Sequence, residues 1–509
     1  EMFMRNERFD VIVIGAGVGG PTAGAILAKK EGMKVLVLEK ASRVGGRDIS
    51  FRLQDEDPET YRKAINDAAH TWYVKSEPGL QELFRQGLLD GYSFEAGIHT
   101  LMVTEKGRTN TCLSYLGKPL TLYPAISAGW WHGGKLYRFE NGSERGGNFP
   151  WMDEKGRAET GKINSLMVRM SAQEAHSYDH ISLKEWMEAR TDNNNTKEFH
   201  YVNATMNCTI NDPANISAGD NILMNRAVAR AGKRFSFGGC STPGLPGFVQ
   251  IPLSFCDVIK ENGGRVVTRA RVKEVLIEAG RVKGVLVDME GGEEKIDCPV
   301  VINSGLVNEM FQYIPEKHFP YTFVKRVKGF WSAGIGAVYF GLDRKIVQEH
   351  LTFIPKIAGR EHGFDSDVRM GFWDSSGMDP QRAPAGKQLV DAYVSLTDKE
   401  AHNPELVNLA YDRMLAFMTE HYPGFKEALS WTLYTVSDSL VPVAQAPFQV
   451  GDARPRAKSP HVKGLYLASD SSECSMAAND AAVHAGIIAA SRVSNRDYVS
   501  EILPEYSRY

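Results

Sequence analysis

The chain has 509 residues, more than one small hydrophobic core requires, so its length predicts at least two domains. Hydrophobic residues make up 43% and charged residues 24%, a mixture that excludes disordered, collagen-like and disulfide-stapled proteins. With 59 basic and 62 acidic residues the formal charge is −3, which gives no general attraction for nucleic acid. The six cysteines form no Cys-x-x-Cys pair, which argues against a zinc or iron–sulfur site and fits a reducing, cytoplasmic compartment.

The first forty residues carry the clearest pattern. Residues 11–28 are uncharged, as in a signal peptide or a membrane span, but five glycines and a proline favour a strand–turn–helix instead. The β-branched run FDVIVIG predicts a strand buried on both faces of a parallel sheet. Residues 18–30 predict a helix that Gly32 ends, and KVLVLEK (34–40) predicts a second buried strand. We therefore expect a βαβ-type unit here.

The turn of this unit contains a dinucleotide motif. GAGVGG places Gly15, Gly17 and Gly20 in Gly-x-Gly-x-x-Gly spacing, with Ala16 inside the turn. The first glycine allows the tight turn, the second lets the backbone approach a pyrophosphate, and the third lets the helix pack on the strand. The helix N-terminus directs N–H groups at phosphate. Glu39 ends the next strand, where a carboxylate accepts hydrogen bonds from ribose hydroxyls.

The remaining elements are predicted in chain order. A polar helical insertion is expected at 55–90, a strand at 93–101, a loop- and glycine-rich stretch at 107–162, and a mostly helical region at 163–232. A helix at 252–262 precedes short strands joined by glycine turns at 264–293. Later strands are expected at 298–305, 333–342, 368–373, 387–396 and 464–470, with helices at 404–421 and 477–493.

Directly after Glu39 and Lys40, the segment ASRVGGR contains Gly45, Gly46 and Arg47. Here the chain resembles FAD-dependent oxidoreductases of the phytoene desaturase and retinol saturase group, in the flavin amine oxidase superfamily. The resemblance implies FAD as cofactor, with Gly46 and Arg47 at its pyrophosphate and Lys40 among the cofactor-binding residues. A guanidinium suits that role because it is a forked hydrogen-bond donor.

The resemblance recurs at several separate points along the chain. SFEAGIHTL (93–101) is similar to the strand that passes close to the flavin, and the strands from 263 onward imply that the Val272 backbone meets the adenine. DPQRAPAGKQLVDAYVSL (379–396) is similar to a stretch of the desaturase and saturase branch. GLYLASD implies that Asp470 bonds the ribityl–phosphate region, and the helix after it implies cofactor contacts at Asn479 and Asp480. This segment departs from the family, which is glycine-rich there.

These features predict an α/β chain, α+β overall. A Rossmann-like FAD-binding domain is expected from residues 1–105 (including the 55–90 insertion), 241–320 and 436–509. A substrate domain with a mixed sheet and helices is expected from 106–240 and 321–435.

Catalytic side chains are harder to identify. His99 follows the FEAG segment on the side that the resemblance assigns to the substrate, so it is the candidate acid or base; a packed structural histidine is the alternative. The segment Trp130–His132 fits either a substrate cavity or the core. Cys474 suggests either a covalent flavin link or an inert buried thiol.

The chain has one dinucleotide fingerprint, so electrons are expected to pass between FAD and an organic substrate, with oxygen, a quinone or another organic molecule closing the cycle. The leading hypothesis is formation, saturation or isomerisation of a C–C double bond in a bulky, largely apolar isoprenoid, lipid or alicyclic substrate. Amine oxidation is one alternative and a sugar-ring mutase another. A third is a non-catalytic prenyl- or lipid-binding protein, similar to Rab GDP dissociation inhibitors. The sequence leaves open whether the protein contacts a membrane peripherally and whether it forms a homo-oligomer.

Overall fold

The computed structural model describes residues 7–97, 101–143, 147–230, 238–242 and 245–504. The strands are β1 Val11–Ile14, β2 Val35–Leu38, β3 Ser50–Phe51, β4 Thr71–Glu77, β5 Phe94–Glu95, β6 Leu122–Pro124, β7 Ser127–His132, β8 Lys135–Glu140, β9 Gly238–Thr242, β10 Leu245–Pro246, β11 Arg265–Val267, β12 Arg271–Glu278, β13 Arg281–Met289, β14 Gly292–Asp297, β15 Val301–Asn303, β16 Ala333–Leu342, β17 Leu351–Ala358, β18 Val368–Asp374, β19 Gln388–Thr397, β20 Leu429–Val441 and β21 Leu465–Leu467.

The helices are α1 Gly19–Glu31, α2 Pro58–Ala69, α3 Leu80–Arg85, α4 Arg108–Tyr115, α5 Glu154–Arg169, α6 Ala172–His176, α7 Leu183–Glu188, α8 Asn194–Cys208, α9 Ala218–Arg230, α10 Gln250–Glu261, α11 Tyr321–Lys328, α12 Ser375–Met378, α13 Asp398–Ala401, α14 Pro404–His421, α15 Phe425–Ala428, α16 Ala478–Ser494 and α17 Tyr498–Ile502. No helix in these ranges has the length and apolar character needed to cross a bilayer.

Five parallel strands form the nucleotide-type sheet, in the order β11–β2–β1–β15–β21. The apolar runs predicted to be buried strands are buried at every position in β1, β2, β15 and β21. Helix α1 ends at Gly32, whose φ of 66° lies in the left-handed region that glycine adopts without strain. The strands come from distant parts of the chain, so the sheet is assembled from discontinuous segments.

A second sheet has eight strands in the order β4–β20–β16–β19–β18–β17–β7–β8. Its neighbours are antiparallel except for β17 and β7, which pair in parallel, so the sheet is mixed. Helix α14 packs on its buried face through Val407, Tyr411 and Met414. The predicted α/β class, with a parallel nucleotide-type sheet and a mixed sheet, is confirmed.

Several predicted elements were wrong. The 55–90 insertion is not all helical, because residues 71–77 form β4, which pairs antiparallel with β20 at the edge of the mixed sheet. Its Thr, Trp, Tyr and Val side chains have high strand propensity. The stretch 107–162 is not mainly loop, since it holds α4, β6, β7, β8 and the start of α5. The predicted strand at 93–101 is reduced to β5, and residues 98–100 lie outside the described ranges. Strands β17 and β20 were not predicted.

Candidate functional site

A cavity of about 650 Å³ runs between the two sheets. At one end, here called the parallel-sheet end, it is lined by Gly15, Glu39 and Ser304, which follow the carboxyl ends of β1, β2 and β15. Ligands of open parallel sheets bind at these strand ends. At the other end, here called the mixed-sheet end, the cavity reaches Ile335 on β16 and Trp373 on β18. One continuous space therefore joins the nucleotide-type sheet to the mixed sheet.

The glycine turn forms the wall of the parallel-sheet end. A Cβ added to Gly17 would meet within 4 Å only the Ser304 Oγ atom, at 4.0 Å, so this backbone faces open cavity. Gly20 lies outside the lining; its N–H donates to Ser304 Oγ at 2.9 Å, and its own added Cβ would lie 2.5 Å from Ser304 Cβ. The two glycines therefore have different roles, since Gly17 leaves room for a ligand and Gly20 leaves room for close packing.

Helix α1 points its N-terminus at the same space. Its N-cap residue, Val18, makes no side-chain capping bond, and its first turn holds no acidic residue. The first-turn N–H groups and the positive end of the helix dipole are thus available to an anion such as a phosphate.

Glu39 is held in place by its own backbone surroundings. It accepts hydrogen bonds from the N–H groups of Ala16 and Ala41, each at 2.7 Å, and it lines the cavity. Ala16 is buried behind the turn and does not line the cavity. Lys40 is exposed at the cavity edge, and Val272 on β12 lines the wall. The two backbone hydrogen bonds of Glu39 leave lone pairs of its carboxylate that can accept from ribose hydroxyls.

Arg47 joins the two chain ends. Its guanidinium donates to Asp470 Oδ1 at 2.6 Å and to the Leu440 carbonyl at 2.7 Å, and Arg47, Leu440 and Asp470 all line the cavity. Burial by itself lowers the pKa of Arg47, but the carboxylates around it, Asp470 first and then Asp48 and Glu309, together raise the pKa above its ordinary value. Gly46 also lines the cavity and packs on the turn, since its added Cβ would lie 3.0 Å from Gly17 Cα. The arginine expected at a pyrophosphate is therefore already oriented by protein acceptors.

Helix α16 begins at the cavity beside a buried acid. Asn479 lines the cavity and shares a hydrogen bond with Asp48, whose side chain is 3% exposed. Burial, reinforced by the charge of Glu95, raises the pKa of Asp48 well above its ordinary value, so its protonated form is favoured. The sequence interpretation missed Asp48, although it directly follows the GGR segment.

The start of α16 is also strained. Met476 and Ala478 have φ values of 79° and 50°, a region that glycine adopts far more readily. Glycine-rich sequence at this point in the resembling family is consistent with that backbone requirement. Asp480 was expected at the cofactor but does not line the cavity; its carboxylate accepts from the Thr109 N–H at 2.9 Å and hydroxyl at 2.6 Å.

The mixed-sheet end has an apolar wall. Met206 from α8, Ile335, Trp373 and Tyr393 from β19 line it. The Trp373 and Tyr393 rings have centroids 5.0 Å apart and are inclined by 51°. The Tyr393 hydroxyl donates to the Met206 carbonyl at 3.2 Å, so its polar atom already has an acceptor. This wall therefore presents rings, a thioether and an aliphatic side chain.

Three other predicted candidates have different outcomes. His99 lies outside the described residues. Trp130 is in the core, stacked on Trp151 with centroids 4.6 Å apart, and does not line the cavity. Burial raises the pKa of the Cys474 thiol to about 11, and its sulfur donates to the Asp470 carbonyl at 3.4 Å. An inert thiol therefore fits Cys474 better than a covalent flavin link.

Sequence reasoning also missed Ser304, Met206 and Gln445, which all line the cavity. Ser304 could have been found, because it follows a buried parallel strand at the sheet edge where ligands bind. Met206 and Gln445 carry no such local signal.

Three observations test whether these residues fit FAD. There is open space beside the Gly17 backbone, an uncapped helix N-terminus directed at that space, and a fixed carboxylate at the end of β2. The open space allows the close approach of a pyrophosphate, and the helix N-terminus stabilises the charge of that pyrophosphate. The fixed carboxylate can accept hydrogen bonds from a ribose. The N-terminus of α16 also lacks a side-chain cap, and the acid in its first turn, Asp480, is hydrogen-bonded to Thr109; the helix N–H groups therefore suit negative charge on a reduced flavin ring. The residues present therefore fit the cofactor.

Comparison with known proteins agrees with this site. Residues 22–494 match the family of flavin containing amine oxidoreductases. A 51-residue stretch, 10% of this chain, is 47% identical to amine oxidase [flavin-containing] A of Bos taurus and spans only 10% of that protein. An oxidoreductase from Methanosarcina mazei aligns over 93% of this chain and 98% of its own, with a TM-score of 0.68 and 16% identity. Cyclohexylamine oxidase from Brevibacterium oxydans aligns over 96% and 99%, with a TM-score of 0.61 and 13% identity.

The two structural likenesses, at such low identity, concern the fold alone. The family match is of a different kind, because it covers most of the chain; it begins after the glycine turn but includes Glu39, Ser304 and the strands of the mixed-sheet end. The chain belongs to the flavin containing amine oxidoreductase family and is an FAD-dependent oxidoreductase.

Proposed function

We propose that this enzyme forms, saturates or isomerises a C–C double bond in a bulky, largely apolar molecule. The observation that carries the proposal is the wall of Met206, Ile335, Trp373 and Tyr393 at the mixed-sheet end. Such a wall gains free energy by burying apolar surface and offers no charge to orient a polar substrate. The bound FAD supplies the acceptor or donor of a hydride at N5.

The protein's own contribution is to position the substrate and to exclude water from it. Trp373 and Tyr393 provide rigid faces for an extended or alicyclic hydrocarbon, and Met206 adapts to its outline. Holding a C–H bond in one orientation supplies much of the rate of such a reaction. In desaturation, one carbon loses a hydride and its neighbour loses a proton to a base or to water; saturation reverses both transfers. After desaturation, oxygen, a quinone or another organic oxidant would take up the two electrons; after saturation, an organic donor would have to supply two electrons; isomerisation needs neither.

Amine oxidation is the second candidate, because two of the compared proteins are amine oxidases by name. Amine-oxidising relatives commonly place a lysine and a water near the flavin. Among the described residues that line the cavity, the lysines are Lys40 and Lys63, and neither belongs to the mixed-sheet wall. This distribution supports the apolar substrate.

The test is anaerobic reduction of the purified, FAD-loaded enzyme. Polyisoprenoids and unsaturated lipids in detergent form one panel, and primary and secondary amines the other. We expect a compound that is desaturated to bleach the absorbance of the oxidised flavin. We expect a compound that is saturated to restore that absorbance in enzyme first reduced with dithionite. Both effects are expected only with the first panel. Chromatography of the same mixtures detects isomerisation, which leaves the absorbance unchanged. Rapid bleaching by amines with no change in any unsaturated compound would establish amine oxidation instead.

A further inference from the structure

Three exposed aromatic side chains belong to helix α11 and to the two segments next to it. Among the described residues, six large hydrophobic side chains are exposed, and three of them are Tyr321 (71% exposed), Trp331 (39%) and Phe448 (67%). Tyr321 begins α11, and Trp331 follows that helix by three residues. The Trp331 N–H donates to the Gln449 side-chain oxygen at 2.8 Å, and Phe448 directly precedes Gln449 in the chain.

Basic residues accompany these aromatic side chains. Helix α11, sequence YTFVKRVK, buries Val324 and Val327 and turns Lys325, Arg326 and Lys328 outward. Lys328 is paired with Glu316, whereas Lys325 and Arg326 lie 5.6 Å from the rings of Tyr321 and Phe323. Within the described ranges neither Lys325 nor Arg326 forms an ion pair with a carboxylate, so α11 presents two adjacent uncompensated cations.

The Phe448 backbone adds a second, independent observation. Its φ of 65° is unfavourable for a phenylalanine, and the ring it presents is largely exposed and stacked on His180 at 4.6 Å. Such strain of about 1–3 kcal/mol is usually retained at functional positions.

The same chain segments reach the cavity. Gln449 donates to the carbonyls of Trp331 at 3.1 Å and Ala444 at 3.2 Å, and Val443 and Gln445 on either side of Ala444 line the cavity. The segment that leads into α11 lines it as well, through Glu309 and Gln312. The exposed aromatic side chains thus belong to segments that also form the cavity wall.

We propose that Tyr321, Lys325, Arg326, Trp331 and Phe448 form an aromatic–basic surface that docks on an anionic lipid bilayer. Tyrosine and tryptophan favour the membrane interface, where their rings lie at headgroup depth, and lysine and arginine are attracted to anionic lipid. Rings that insert at headgroup depth beside cations that face anionic headgroups match the layered chemistry of a bilayer surface, and binding of an acidic protein is an outcome that the test separates. The docking itself is independent of the substrate; only its use as a route for an apolar substrate rests on the proposed function.

The test is flotation of the full-length FAD-loaded enzyme with vesicles. We expect the wild type to float with phosphatidylcholine vesicles containing phosphatidylserine, and to float much less with phosphatidylcholine alone or at high salt. The double variant Lys325→Glu/Arg326→Glu should bind at least about tenfold more weakly. The control, Lys155→Glu/Lys162→Glu, makes the same charge change at two exposed positions of α5 and should bind as the wild type does.

The apolar contribution is tested separately. Brominated phosphatidylserine should quench part of the tryptophan fluorescence of the wild type, and Trp331→Phe should lose that part. Phe448→Ser should weaken flotation without changing the FAD content. Wild-type protein that ignores anionic vesicles at low salt, or a Lys325/Arg326 variant that floats as well as the wild type, would overturn the proposal. Concentration-dependent self-association or capture of a protein through this surface, without vesicle binding, would also overturn it. None of these outcomes depends on the substrate assays.

Discussion

Arg47 and Asp470, 423 positions apart in the chain, meet with a guanidinium nitrogen 2.6 Å from a carboxylate oxygen. Arg47 follows the glycine turn of the first strand unit, and Asp470 follows β21 at the far edge of the same sheet. Their side chains are 23% and 11% exposed, so each would be a poorly solvated charge without the other. The pair therefore holds the two ends of the chain around the cofactor cavity.

A double-mutant cycle measures this pair. We expect Arg47→Met and Asp470→Asn each to lower the free energy of unfolding by about 1–3 kcal/mol, less than for a fully buried pair because both side chains retain some solvent. The coupling energy should exceed about 0.5 kcal/mol, and FAD retention should fall. Urea unfolding and the FAD content of desalted protein give the two readouts. The exposed pair Arg344–Asp343 serves as the control and should show little coupling.

Gly17 and Gly20 should respond differently to the same substitution. Gly17→Val places its side chain in the cavity, so we expect loss of FAD with little change in the stability of the apoprotein. Gly20→Val forces a Cβ to within 2.5 Å of Ser304, so we expect destabilisation by about 1–3 kcal/mol or more. Absorbance of bound flavin and thermal unfolding of apoprotein separate the two effects. Normal FAD retention by Gly17→Val would refute the assigned position of the pyrophosphate.

Asp391 gives a pH dependence with a definite sign. Burial raises its pKa to about 7, whereas an unfolded aspartate titrates near 4. Between these values the unfolded chain releases the proton and the folded chain keeps it, so the folded state loses stability as pH rises from about 4 to 7. The limiting slope is about 1.4 kcal/mol per pH unit.

Asp391→Asn removes this titration. The variant's free energy of unfolding, relative to the wild type, should rise by about 3 kcal/mol between pH 4.5 and 8. The amide oxygen can still accept from the Ser375 hydroxyl, which lies 2.6 Å from the Asp391 carboxylate. Urea titrations of both proteins across this range make the comparison. A constant difference would mean that Asp391 ionises normally in the folded protein.

Met206 tests the apolar wall. Met206→Gln keeps the shape but introduces an amide oxygen and an NH₂ group. The Tyr393 hydroxyl, 3.1 Å from the Met206 sulfur, can pair with only one of them, and burying the other costs about 1–3 kcal/mol. We expect about tenfold weaker binding of the apolar substrate or an analogue at unchanged FAD content, measured from the perturbation of the flavin spectrum. Met206→Leu keeps the wall apolar and should bind like the wild type. Equal affinities in all three proteins would place the substrate elsewhere in the cavity.

The mixed sheet shows where local patterns mislead. Residues 71–77 were assigned to a helical insertion because they lie in a polar region between Pro58 and Gly91. They form β4 because they pair with the edge of β20, whose residues lie about 360 positions later in the chain. The backbone hydrogen bonds of this pairing outweigh the helical preference of the surrounding polar sequence. The opposite case is the segment 387–396, which was predicted as a strand of a second sheet and which β19 confirms.

By itself, the sequence determined the dinucleotide-binding half of the cavity. Strand periodicity, glycine spacing and the position of Glu39 all operate within about forty residues, and steric limits on the backbone leave such a segment few conformations. Tertiary structure alone decided which side chains form the mixed-sheet wall and that Arg47 reaches Asp470. Met206, Trp373 and Tyr393 come from a helix and two strands, and their proximity depends on how those elements pack. No local pattern encodes such contacts, because they arise when distant segments bury their apolar surfaces against one another.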